Sequence, residues 1–121
     1  MMEKVSVVMA TYNTNRSFLK EAINSILNQT YENIELVIVC DGSKEEYEYI
    51  TAEYKSSKIR VLLNEENKGL PYSLNWAIEA STGQYIARMD SDDISLPNRF
   101  QKQVEFLDKN KDISILGSWF E

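Results

Sequence analysis

Four short apolar runs, separated by stretches with helical spacing, constrain this chain more than anything else in it. The runs occupy residues 5–10, 34–40, 59–63 and 85–89. Each is nearly continuous in apolar residues, not alternating, which is the pattern of a strand covered on both faces and hence of a parallel sheet. Between them, Phe18, Leu19, Ala22, Ile23, Ile26 and Leu27 form one apolar helical stripe. Ser43 and Glu46 have the form of a capping box that opens a second helix, with Tyr47, Ile50 and Tyr54 on one face. Pro71 suits the first turn of a third helix carrying Leu74, Ala77 and Ile78, and Gly83 stops it. Ser95 and Pro97 open a fourth helix, with Phe100, Val104 and Leu107 at helical spacing, and residues 113–120 read as a last extended stretch. The order β-α-β-α-β-α-β-loop-α-β predicts an α/β fold. Its sheet is open and mostly parallel, with helices on both faces and right-handed crossovers.

At 121 residues the chain can build one core, so residues 1–121 are expected to form one domain. A net charge of −6 argues against nucleic acid as a partner, since no basic surface is on offer. The same acidity means that a phosphate ligand would need a metal bridge. There is no histidine, which removes His-based triads, His general bases and His-ligated zinc. The single cysteine, Cys40, closes an apolar run and reads as an inert core thiol. The start of the sequence lacks the apolar core of a signal peptide, and no run approaches the roughly 18 apolar residues of a membrane span. A soluble, reducing, cytoplasmic setting is the simplest expectation.

Ligands of such sheets bind beyond the carboxyl ends of the strands, near the point where strand order reverses. Polar residues gather at each of those ends. The densest group is Asp90, Asp92 and Asp93 after the fourth run. Like charges this close repel unless a cation sits among them, and a divalent metal with oxygen ligands is the usual one. Asp90 and Asp92, two apart, face the same way if the chain stays extended. Asp93 serves as well for capping the next helix as for function. Arg88 lies in the apolar run two residues before Asp90, and a buried arginine there needs a carboxylate or a phosphate. Asp41 is either a turn-and-cap residue or an acceptor for a base or a ribose. Tyr12 is either a packed core tyrosine or a stacking platform for a nucleobase. Lys68 is a solvated loop lysine or a point charge for phosphate. No glycine-rich phosphate loop follows the first run, so a dinucleotide oxidoreductase or a P-loop nucleotidase is disfavoured.

Five segments, in order, resemble family 2 glycosyltransferases of the GT-A fold. They are Ser6-Val7-Val8-Met9-Ala10-Thr11-Tyr12-Asn13, Leu27-Asn28-Gln29-Thr30-Tyr31, Glu35-Leu36-Val37-Ile38-Val39-Cys40-Asp41-Gly42-Ser43, Asn67-Lys68-Gly69, and Gly83 through Asp93. The wording around Ala87-Arg88-Met89-Asp90 is similar to bacterial enzymes of capsule, exopolysaccharide and lipopolysaccharide synthesis. The resemblance implies that Tyr12 packs on uracil, Thr11 offers backbone contacts to the nucleotide, Asp41 accepts from the base and Lys68 lies near the nucleotide. It makes Asp90-Ser91-Asp92 an Asp-x-Asp motif, with Asp90 toward the ribose, Asp92 on Mn²⁺ or Mg²⁺, and Arg88 and Asp93 in support. It implies transfer of a hexose from a UDP-sugar, with inversion, to a glycan or lipid-linked acceptor. Family members are usually more than twice this long. The chain is therefore expected to be the nucleotide-sugar-binding N-terminal half of a longer enzyme, with the general base beyond Glu121 and little activity of its own. Any membrane association would come through the missing regions, at the inner face of the cell membrane. An open edge beside the fourth strand is expected to be covered by the last stretch or by a second chain in a dimer. Ser43 is followed by Lys44-Glu45-Glu46, where the family commonly has Thr-Asp. The alternatives are a non-catalytic nucleotide- or metal-binding module and an aspartyl phosphotransferase.

Overall fold

The computed structural model describes residues 3–92, 95 and 97–109, without the side chains of 107–109. The elements are β1 (Val5–Thr11), α1 (Arg16–Leu27), β2 (Ile34–Asp41), α2 (Lys44–Glu53), β3 (Ile59–Asn64), α3 (Leu70–Ala80), β4 (Tyr85–Arg88) and α4 (Arg99–Lys109). All pairings are parallel and the strand order is β3-β2-β1-β4. The expected α/β architecture is therefore present. The expected last strand over 113–120 lies outside the described residues.

The period of two along each strand sorts the core into two layers. Val5, Val7 and Met9 of β1 and Ile34, Leu36, Ile38 and Cys40 of β2 point to the face covered by α1, α2 and α4. Val8, Val37 and Val39 point to the other face, where α3 brings Leu74, Trp76 and Ala77. The connections that step outward from β1 to β3 use the first face, and the one that returns to β4 uses the second. That is the arrangement required if every crossover has the same hand. The switch in direction falls between β1 and β4.

The helices start and stop for local reasons. Asn15 caps α1, its side-chain oxygen accepting from the N–H groups of Ser17 and Phe18. Leu19, Ala22, Ile23 and Ile26 are buried, but Phe18 stays 53% exposed, so the stripe is narrower than its apolar letters suggest. In α3, Pro71 occupies the first turn, the helix ends at Ala80, and Ile78 faces outward. Gly83 comes after that end, in the turn into β4. A Cβ there would stand 2.6 Å from Ser6 Oγ, so only glycine allows the approach.

A polar cluster fastens the amino ends of the strands. Ser6 Oγ donates to Glu35 Oε2 at 2.6 Å and accepts the N–H of Gly83 at 2.8 Å. The N–H of Thr82 reaches the same carboxylate oxygen at 2.7 Å, and Lys4 Nζ lies 3.5 Å from its partner oxygen. Burial pushes the Glu35 carboxyl up, but Ser6, Thr82 and Lys4 together hold it below its ordinary range. Ser6 and Glu35 face each other in the β1–β2 register, so the cluster ties the α3–β4 turn to the centre of the sheet.

Candidate functional site

Because all four strands are parallel, Thr11, Asp41, Asn64 and Arg88 end at one edge. Four loops leave that edge; buried Asp41 holds the one after β3 and buried Glu46 the one after β1.

The loop after β3 is tied to the end of β2 by Asp41, which is 4% exposed. Its Oδ1 accepts the N–H of Lys68 at 2.7 Å and the amide of Asn64 at 3.0 Å, and its Oδ2 accepts the N–H of Gly69 at 3.0 Å. Asn64 also donates to Ser73 Oγ at 2.9 Å, linking α3 to the same hub. Burial raises the Asp41 carboxyl, but these donors outweigh it and leave the group below its ordinary range. A carboxylate offers about four acceptor positions, and Lys68, Gly69, Asn64 and Ser73 all hydrogen-bond to this one, so a ligand donor would share an oxygen with them. Gly42, at φ 77°, lets the strand end turn beneath the loop after β3; a Cβ there would meet the Asn67 nitrogen at 2.7 Å.

The loop after β1 is organised by Glu46. The expected capping box does not form: the Ser43 side chain makes no cap hydrogen bond. Glu46 instead leaves its own helix end. Its Oε2 accepts the N–H of Thr14 at 2.7 Å and the hydroxyl of Thr11 at 3.1 Å, and its Oε1 accepts the N–H of Asn13 at 3.2 Å. A side chain so short of its own cap has found stronger claimants, two consecutive amides exposed by the left-handed turn at Asn13. Tyr12, on the crest of this turn, is 55% exposed and is not a core tyrosine. Sequence reasoning missed Glu46 as a site residue because the spacing to Ser43 already had a sufficient local explanation.

The loop after β4 differs most from expectation. β4 is an edge strand among the described residues, and Arg88 at its end is exposed, not buried. Its guanidinium lies 3.4 Å from Asp90 Oδ1, with both side chains more than half exposed (54% and 58%). The backbone does not stay extended, because ladder bonding ends with the N–H of Met89 on Val8 and the chain turns at Ser91 and Asp92. Asp90 and Asp92 are thus exposed carboxylates on a turn, not neighbours along a strand. Asp93 lies outside the described residues. Ser91 Oγ stands 2.6 Å from Thr14 Oγ1, so the turns after β1 and β4 meet across the switch point.

The structure brings Thr11, Tyr12, Asp41, Lys68, Arg88, Asp90 and Asp92 to one edge of the sheet. Lys68 is an exposed side chain 6.0 Å from the centroid of the Tyr72 ring, and a cleft of about 620 Å³ lined by Lys68, Tyr72 and Trp76 flanks it. Among the described residues no three His, Cys, Asp or Glu side chains come together as a metal-binding group. The donors present still suit Mn²⁺ or Mg²⁺, which prefer oxygen ligands. Mg²⁺ in particular is commonly held by one or two carboxylates together with substrate phosphates.

The family model for glycosyl transferase family 2 matches residues 6–121. The chain belongs to glycosyltransferase family 2. An uncharacterized glycosyltransferase of Methanocaldococcus jannaschii is 44% identical over 118 residues, covering 95% of this chain and 41% of the relative. The Escherichia coli glucosyltransferase WfgD, named as a UDP-Glc:alpha-D-GlcNAc-diphosphoundecaprenol beta-1,3-glucosyltransferase, is 34% identical, covering 95% of this chain and 45% of that protein. This family 2 chain thus spans less than half the length of the curated relatives it matches. Among solved structures, S. aureus TarS 1-349 in complex with UDP superposes with a TM-score of 0.72 at 25% identity, covering 89% of this chain and 33% of that one. The mannosyltransferase PcManGT of Pyrobaculum calidifontis, in complex with GDP-Man and Mn²⁺, gives 0.74 at 22% identity, with 88% and 33% coverage. This family 2 chain shares the fold of both, the GT-A fold. Among the described residues no helix is long and apolar enough to cross a membrane.

Proposed function

We propose that this family 2 domain is the nucleotide-sugar-binding half of an inverting, metal-dependent hexosyltransferase, and that its donor is a UDP-sugar. The observation that carries the reading is the contact of the turns after β1 and β4 at the switch point, with Tyr12, Asp41 and the Asp90–Asp92 turn on the same carboxyl edge of the sheet. The UDP and UDP-Glc named for TarS and WfgD support the choice of nucleotide.

In this reading the exposed ring of Tyr12 stacks on uracil, while Thr11 presents its backbone to the nucleotide. Asp41 takes an N–H of the base on an oxygen it shares with its own donors. Its ties to Lys68 and Gly69 hold that oxygen still before the ligand arrives. Lys68 lends a positive charge beside the nucleotide. Asp90 accepts from the ribose, with Arg88 steadying its carboxylate. Asp92 would hold Mn²⁺ or Mg²⁺, and Asp93 would support the loop. When bound, such a cation neutralises the charge that builds on the departing nucleotide diphosphate. An acidic chain is thereby able to receive an anionic leaving group.

The residues assigned here grip the donor, and neither a general base nor an acceptor site is assigned to any of them. The acceptor would be a glycan or a lipid-linked glycan in cell-surface polysaccharide synthesis, at the cytoplasmic face of the membrane. The edge of β4, open among the described residues, would be covered by the last stretch of the chain or by a second copy. Competition calorimetry with UDP, GDP and ADP tests the reading. UDP is expected to bind at least about tenfold more tightly, the scale of one specific hydrogen-bonded contact. Equal binding of the three would overturn the assignment of Tyr12 and Asp41 to uracil.

A further inference from the structure

We infer that Glu46 is a positioning residue for the donor site: it sets the turn after β1 and, through Thr14 and Ser91, the acidic turn after β4. The inference rests on the donor-site reading above and adds a residue on α2 that sits behind the site.

Glu46 is 4% exposed, and among the described residues it has no ion-pair partner. A buried carboxylate costs free energy unless donors surround it, and here the donors are the N–H of Asn13, the N–H of Thr14 and the Thr11 hydroxyl. Asn13 holds φ at 55°, a conformation that few residues other than glycine adopt unaided. Bonding two successive N–H groups to one carboxylate fixes that turn and lifts Tyr12 to the surface. The first turn of α2 also favours a negative charge at this position.

The chain of contacts continues. Thr11 Oγ1 and Thr14 Oγ1 are 2.8 Å apart, and Thr14 Oγ1 is 2.6 Å from Ser91 Oγ. Ser91 stands between the two carboxylates assigned to ribose and metal. One buried glutamate therefore sets both walls of the crevice between β1 and β4. Helix capping by Glu46 would have placed its carboxylate on the backbone of Ser43. The geometry shows it spent on the ligand loops instead.

Isothermal titration of UDP and of uridine, each with and without Mn²⁺, tests this on the whole chain and on Glu46→Gln, Thr14→Val and Ser91→Ala. Glu46→Gln keeps the volume but turns one acceptor into a donor facing a donor. It is expected to weaken both UDP and uridine about tenfold, the scale seen when a supporting residue is lost. The amide proton resonances of Asn13 and Thr14 are expected to shift upfield in the same variant. Thr14→Val and Ser91→Ala are expected to reduce the gain in UDP affinity that Mn²⁺ gives. They remove no buried charge, so they carry the test if the glutamine variant does not fold. Variants that lose thermal stability but bind UDP as tightly as the original, with the same Mn²⁺ gain, would overturn the positioning role. Absence of UDP binding by the unaltered chain would overturn the donor-site reading and this inference with it.

Discussion

The carboxylate of Asp41 accepts the backbone N–H of Lys68 at 2.7 Å, joining the end of β2 to a loop 27 residues later. With the second bond to Gly69, the bend that starts α3 is shaped by a strand-end side chain and not by its own turn residues. Asp41→Asn puts an amide among donors and leaves at least one N–H unpaired. Loss of such a charge-assisted bond costs about 2 kcal/mol. Urea unfolding should show a fall of that size, with UDP affinity falling as well.

Acid should unfold the protein earlier than an ordinary surface would predict. Asp41 and Glu35 both lie below their ordinary values of 3.8 and 4.5. A carboxylate whose folded pKa is depressed stabilises the fold fully above its unfolded value. It loses that contribution as pH falls through the folded value. Stability should thus be flat from neutrality down to the ordinary values and then decline below them. Asp41→Asn should flatten part of the decline. Denaturant midpoints measured across that range check the sign, and a decline beginning near neutrality would contradict it.

Gly42 has φ 77° and no room for a Cβ, which would stand 2.7 Å from the Asn67 nitrogen. The left-handed conformation alone costs a residue with a Cβ about 1–2 kcal/mol, and the backbone clash adds to that. Gly42→Ala should therefore lower the thermal midpoint by several degrees, on the order of 4–8 °C per kcal/mol for a domain this small. Gly69 has φ 95° but only the Pro71 Cδ at 3.9 Å from a Cβ, so its alanine variant should suffer the conformational cost without the clash.

Much of this was legible in the chain because burial on both faces leaves an unmistakable mark. The runs at 5–10 and 34–40 became the two central strands, extended by one residue each to Thr11 and Asp41. Side chains whose partners lie far away in sequence were not legible. Glu46 looked like half of a capping box, and its true partners are 32 to 35 residues distant. Ser6 and Glu35 were hidden inside apolar runs, although they form the polar fastening of the sheet. Arg88 was expected to be buried because its run is apolar, but it ends a strand that is at the sheet edge among the described residues, and its side chain is exposed. The extended geometry expected for Asp90 and Asp92 failed because ladder bonding stops at Met89, where among the described residues no further strand holds the chain straight.

Cys40 is fully buried in β2, and burial together with the charge of Glu46 pushes its thiol up to about 12. The thiolate is the reactive form, so alkylation at neutral pH must wait for the fold to open. Iodoacetamide should modify Cys40 at a rate that tracks the unfolded population across a denaturant series. Fast modification of the native protein would show that β2 is not the covered central strand described above.

The measurement that bears most directly on the donor site is the affinity for UDP with and without Mn²⁺, in the original chain and in Asp92→Asn. Asp92 is exposed on a turn, so its substitution should leave the fold intact. The expected result is tighter UDP binding when Mn²⁺ is present, with most of that gain lost in Asp92→Asn and little change in affinity without metal. Equal UDP affinity in both conditions, or a Mn²⁺ gain that survives Asp92→Asn, would contradict the assignment of the acidic turn to the metal.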